Sequence, residues 1–149
     1  MPELVRSVVS RVRVYFKDRR QSPRLRVRIV FTVAIHRATA GNAGDRGMRS
    51  LKGHTRDLSV DGLALLLPQV HLDGHHMAAE GRELHVRLEI GSGEPVSLFV
   101  MPRRYERLED SELGCNYLIG ARIVRVDEAD RLRYLNFISE GLQKTPGTM

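Results

Sequence analysis

LRVRIVFTVAIH, residues 25–36, decides the fold class. Leu25, Val27, Ile29, Phe31, Val33 and Ile35 occupy every second position without a break. A period of two is the signature of a strand with one buried face, and β-branched residues suit that surface. The same signal recurs downstream. GHTRDLSVDGLALLL (53–67) reads as strand, turn, strand, with Asp57, Ser59, Asp61 and Gly62 supplying turn chemistry. Leu84, Val86, Leu88 and Ile90 alternate with His85, Arg87 and Glu89. GSGEP (91–95) then turns the chain into VSLFV (96–100), a hairpin by its signals. CNYLIGARIVRV (115–126) is a further strand. Between them, TAGNAGDRG (39–47) and residues 68–81 read as loops, and 102–114 as strand ends and a loop.

The last element is helical. Asp127 is the expected N-cap, and Glu128 and Asp130 place negative charge in the first turn, where the helix dipole favours it. Leu132, Leu135, Ile138 and Leu142 follow at helical spacing, and Gly141 and Pro146 mark the expected end. Short antiparallel strands followed by one helix point to a mainly β fold, a small closed or nearly closed barrel whose opening or edge the helix covers.

Charge is unevenly placed. The chain of 149 residues carries a net charge of +6. Residues 1–28 hold nine Lys/Arg against two acids, +7, and the remainder holds fifteen against sixteen, −1. Four arginines fall within RRQSPRLRV (19–27). Such a cluster calls for an anionic partner: a nucleotide, a nucleic acid or a membrane surface. Only three of the 24 basic residues are lysine, and arginine suits bidentate binding of phosphate and guanine. Leu4, Val5, Val8, Val9, Val12 and Phe16 form a helical stripe, so residues 1–16 read as a basic amphipathic arm or helix. It either packs on the domain or lies on an anionic membrane. The main domain is expected over 17–142, with a tail at 143–149.

Other classes find little support. No apolar run approaches the ~20 residues of a membrane span. The N-terminus lacks the apolar core of a signal peptide, and the single Cys115 suits a reducing compartment, so the cytosol is the expected location. His71, His75 and His76 sit in a loop without a carboxylate or thiol at zinc spacing, so no metal site is expected. His54, Asp57 and Ser59 are too close in sequence for a catalytic triad, and no nucleophile elbow surrounds the serine. Cys115 reads as a small core residue, and no phosphate-binding glycine loop is present. Neither a catalytic residue nor a cofactor is expected. A basic β-barrel that binds nucleic-acid polymer is the competing reading. With no Trp, four Tyr and four Phe, the chain offers it few stacking platforms.

Two short patterns remain: RQSPR (20–24), an RxxxR, and DLSVDG (57–62), a DxSxxG. In this order, ahead of a strand-rich domain with a terminal helix, they resemble the ligand-binding signature of the PilZ family, the bacterial receptors for cyclic di-GMP. The resemblance covers about Lys17 to Leu142. It implies a six-stranded antiparallel β-barrel with a C-terminal helix and a non-catalytic receptor role. It also implies that Arg20, Arg24, Asp57, Ser59 and Gly62 bind the ligand, with Arg56 a weaker candidate by proximity. An extra arginine before the RxxxR, here Arg19, accompanies capture of two stacked ligand molecules in proteins resembling this one. The implied partner is therefore cyclic di-GMP, two molecules per chain. The residue types suit it: guanidinium grips phosphate or guanine O6 and N7, and an ionised Asp57 accepts from guanine N1–H and N2.

Overall fold

The computed structural model describes residues 23–36, 49–91 and 93–144. The arm at 1–16, Arg19, Arg20 and the stretch 39–47 lie outside the described residues. The described residues form β1 (Leu25–Arg26), β2 (Val30–Ile35), β3 (Leu51–Ser59), β4 (Gly62–Leu67), β5 (His71–Leu72), β6 (His75–His76), β7 (Leu84–Leu88), β8 (Val96–Glu112), β9 (Cys115–Arg125) and α1 (Glu128–Lys144).

Six strands close on themselves. Their order is β3, β2, β7, β8, β9, β4, and β4 pairs back onto β3, all antiparallel. Closure removes the unpaired edges an open sheet would expose. Alternate residues fill the interior: Phe31, Val33 and Ile35 from β2, Leu63, Leu65 and Leu67 from β4, Leu84, Val86 and Leu88 from β7. Each such side chain removed from water contributes about 1.5–3 kcal/mol before the entropy of ordering is counted.

The alternation in 25–36 survives, but the strand does not run unbroken. Leu25 and Arg26 pair with Leu58 and Asp57, whereas Val30 pairs with His54, so β1 and β2 are out of step by one residue along β3. Thr55 bridges the gap. Its hydroxyl donates to the Val27 carbonyl (2.7 Å) and accepts from the Ile29 amide (3.0 Å), replacing ladder bonds with side-chain ones.

Both ends of the barrel are filled. Residues 68–81, expected as a loop, contain the β5–β6 hairpin, which buries Leu72 and Met77 in the main core. Asp73 and Gly74 turn it with φ of 56° and 80°, the pair of positive angles of a type I′ hairpin turn. At the other end α1 buries Tyr134 and Ile138. Asp127 does cap the helix, its carboxylate accepting from the Asp130 amide (3.0 Å). The apolar stripe is rotated from the expected one: Leu132 is 52% exposed, and Tyr134 takes the inward position. Gly141 does not end the helix. It lies within it, where the lack of a Cβ lets Leu25 pack against the backbone; an added Cβ would meet the Leu25 Cδ2 at 2.4 Å.

Residues 102–112, expected as strand end and loop, continue β8. The β8–β9 hairpin reverses through Leu113 and Gly114, both at positive φ (53° and 82°). Arg103 to Arg107 are exposed, so no buried face imposes the alternation by which a strand is recognised. Leu108 packs with Ala64, Leu66, Cys115 and Leu118 in a small second cluster on the outer face of β4, where Cys115 is buried as expected. Among the described residues no helix is long and apolar enough to cross a membrane.

Candidate ligand-binding site

A cavity of about 520 Å³ opens on the outer face of β3, β4, β9 and β8, beneath the start of β1. Six arginines and two aspartates line it among the described residues, a net charge of +4. Backbone and small side chains form much of its floor, including Gly62, Ala64 and Gly120.

At one end the Arg24 Nη1 donates to Asp57 Oδ1 at 2.6 Å, and the Arg56 Nε approaches Oδ2 at 3.3 Å. The Asp57 side chain is 4% exposed, those of Arg24 and Arg56 about a third. Local strand geometry produces this arrangement. Thr55 pairs with Leu65 and Asp57 with Ala64, so Arg56 is the extra residue of a β-bulge. A bulge breaks the strict up-and-down alternation of side chains, which lets consecutive residues Arg56 and Asp57 line one cavity. The carboxylate holds Arg24 over the cavity and keeps acceptor capacity for a ligand, since two oxygens offer about four lone pairs.

The turn after Asp57 is braced from within. The Ser59 hydroxyl lies 2.9 Å from Asp61 Oδ1 and 3.2 Å from the Gly62 carbonyl, and Ser59 is buried. Tyr134 of α1 reaches the same turn. Its hydroxyl donates to the Ser59 carbonyl at 2.7 Å, with the Gly62 carbonyl at 3.3 Å. Burial above all, and then the Asp61 and Asp57 carboxylates, push the Tyr134 pKa far up, so the hydroxyl stays a donor. Gly62 meets a close approach rather than a left-handed turn: a Cβ there would lie 2.7 Å from the Ala121 carbonyl oxygen. Tyr134→Phe should lower stability by about 1–2 kcal/mol, because it leaves a buried carbonyl without its donor. A lower urea midpoint at unchanged slope is the readout.

Of the residues singled out in the sequence, Arg24, Asp57, Gly62 and Arg56 line one cavity, and the buried Ser59 pairs with Gly62. Arg19 and Arg20 lie outside the described residues. Sequence reasoning did not select Arg103, Arg104, Arg122, Gly120 or Tyr134. The arginines of PRRYER (102–107) looked like an ordinary solvated strand end, and only the closing of β9 against β4 brings them to the site. Among the described residues no group of three or more His, Cys, Asp or Glu is placed to hold a metal ion.

Fold and cavity together define a small antiparallel β-barrel with a cationic cavity on its outer face. The chain belongs to the PilZ domain family, whose profile matches residues 18–140. Solved structures share its fold. The PilZ domain of YcgR from Escherichia coli, with c-di-GMP, is 13% identical, with a TM-score of 0.60, over 87% of this chain and 96% of that one. The MrkH–c-di-GMP complex of K. pneumonia is 16% identical, TM-score 0.58, over 87% of this chain and 55% of the other. The inhibitor of motility MotI/DgrA from Bacillus subtilis is 16% identical, TM-score 0.55, over 80% and 49%. The chain therefore spans about half of each of the last two. No curated protein matches it by sequence.

Proposed function

We propose that this chain is a non-catalytic receptor for cyclic di-GMP. The observation that carries the reading is the Arg24–Asp57 pair at the head of a net +4 cavity, in a member of the PilZ family. Arg24 can donate in pairs to a phosphate or to guanine O6 and N7. The spare lone pairs of Asp57 suit guanine N1–H and N2. YcgR and MrkH are solved with c-di-GMP on the same fold, which supports the choice of ligand. Arg20 and Arg19 are proposed to complete the clamp from the arm, with Arg19 recruiting a second, stacked ligand molecule. Binding would neutralise the arm and order it over the barrel, and that order change is the proposed signal. Ser59 is proposed to act by fixing the turn through its bonds to Asp61 and Gly62.

Titration calorimetry with cyclic di-GMP, cyclic di-AMP and a short single-stranded oligonucleotide tests the reading. The wild type should bind cyclic di-GMP in preference to both, at a ratio near two, and Arg19→Leu should lower the ratio toward one. Arg24→Ala should weaken binding by roughly 10- to 150-fold, the loss of one charge-assisted contact. Tighter binding of the oligonucleotide would reject the receptor reading in favour of a polymer-binding barrel.

A further inference from the structure

One cross-strand row spans the cavity. Asp57 on β3 faces Ala64 on β4, Ala64 faces Gly120 on β9, and Gly120 faces Arg104 on β8. All four line the site. Three strand spacings separate the ends of the row, about 14 Å. The middle carries almost no side chain, so the row is a flat floor between two charged walls.

The far wall repeats the construction of the near one. On β8, Pro102 pairs with Ala121 and Arg104 with Gly120, so Arg103 is the extra residue of a second bulge. Consecutive arginines 103 and 104 thereby line the same cavity, as Arg56 and Asp57 do opposite. Arg122 joins them from β9, one position of the same face further along. The walls differ in one respect. Near Arg24 and Arg56 lies the Asp57 carboxylate, whereas Arg103, Arg104 and Arg122 have no carboxylate within ion-pair distance among the described residues. Three uncompensated guanidinium groups converging on one concavity raise each other's energy, and an anion placed among them relieves it.

Arg104 occupies the space that Gly120 leaves open. A Cβ on Gly120 would meet the Arg104 Nε at 2.9 Å and its Cγ at 3.0 Å. The arginine thus lies flat across β9, and the glycine is the groove in which it lies.

We propose that Arg103, Arg104 and Arg122 form a second phosphate subsite, which takes the cyclic dinucleotide phosphodiester farthest from Arg24, with Gly120 the residue that positions Arg104. This rests on the receptor reading above. It adds a recognition element outside both sequence motifs, with arginine side chains reaching inward from both ends of the row, and makes the site selective for a ligand that carries two phosphates.

Calorimetry with cyclic di-GMP on the full chain tests it, using Arg104→Ala, Arg122→Ala, Gly120→Ala and the double variant Arg104→Ala/Gly120→Ala, with Arg24→Ala as reference. Arg104→Ala and Arg122→Ala should each weaken binding about tenfold or more. Gly120→Ala should approach the Arg104→Ala value and leave the thermal midpoint nearly unchanged, since the atoms it displaces belong to an exposed, flexible side chain and not to backbone. In the double variant the two effects should not add, the mark of residues acting through one another. Unchanged affinity in Arg104→Ala and Arg122→Ala, with Arg24→Ala still defective, overturns the subsite and leaves the receptor reading standing. Additive losses overturn the role of Gly120. No binding of cyclic di-GMP by the wild type overturns both the receptor reading and this one.

Discussion

Asp57→Ala should weaken cyclic di-GMP binding by at least about 150-fold, more than the loss of any single arginine. One carboxylate organises two guanidinium groups, Arg24 at 2.6 Å and Arg56 at 3.3 Å, and is itself buried. Removing it takes away the proposed acceptor for guanine and the anchor of Arg24 together, two charge-assisted interactions at about 1.5–3 kcal/mol each. It also leaves two like charges side by side. The cost in stability should stay near 1–2 kcal/mol, because both arginines are about one-third exposed and water screens them. Asp57→Asn keeps the volume and one acceptor oxygen, so it should fold as the wild type does yet lose most of the affinity. Calorimetry on both variants, with circular dichroism to confirm folding, decides the matter. Competition with cyclic di-AMP adds the base preference: a wild type that binds both dinucleotides equally would remove guanine reading from Asp57.

Gly53→Ala should destabilise the barrel by about 3 kcal/mol or more, a large effect for one added methyl. The new Cβ would lie 2.3 Å from the Leu66 carbonyl oxygen, 2.9 Å from the Phe31 Cζ and 3.1 Å from the Leu67 Cδ2. Phe31 and Leu67 belong to the closed core, and the carbonyl belongs to the neighbouring strand β4, which cannot retreat without parting from β3 or β9. Gly120→Ala is the control: its obstruction is a side chain free to swing into solvent. Urea unfolding should show a much lower midpoint for Gly53→Ala at unchanged slope. A shift below about 1 kcal/mol would mean that the strands separate more readily than a closed barrel allows.

Strand content, the helix with its Asp127 cap, the turn at Ser59–Gly62 and the two short patterns RxxxR and DxSxxG were legible in the sequence, since each is a local signal. Period-two apolar patterns report one buried face, and turn and cap residues act within a few positions of themselves. Even the β5–β6 hairpin announced itself through Asp73–Gly74, a dipeptide suited to two positive φ angles, although the long loop-like setting masked it. Helix face and helix end were harder. Tyr134 replaces Leu132 on the inward side because a buried carbonyl pair on a distant turn needs its hydroxyl, and Gly141 continues the helix because Leu25 needs its missing Cβ.

What the sequence by itself determined is the class of fold and one half of the candidate site, the half of the cavity lined by Arg24, Asp57 and Gly62. The tertiary structure alone decided the other half. Arg104 lies 47 residues beyond Asp57 in sequence, yet β4 and β9 bring both into one row. Which residues face each other across a closed sheet depends on register, and register here shifts at several irregularities, the single-residue bulges at Arg56 and Arg103 among them. A slip of one residue turns a side chain from one face to the other, and no local pattern in an exposed, charged strand records which way it was resolved.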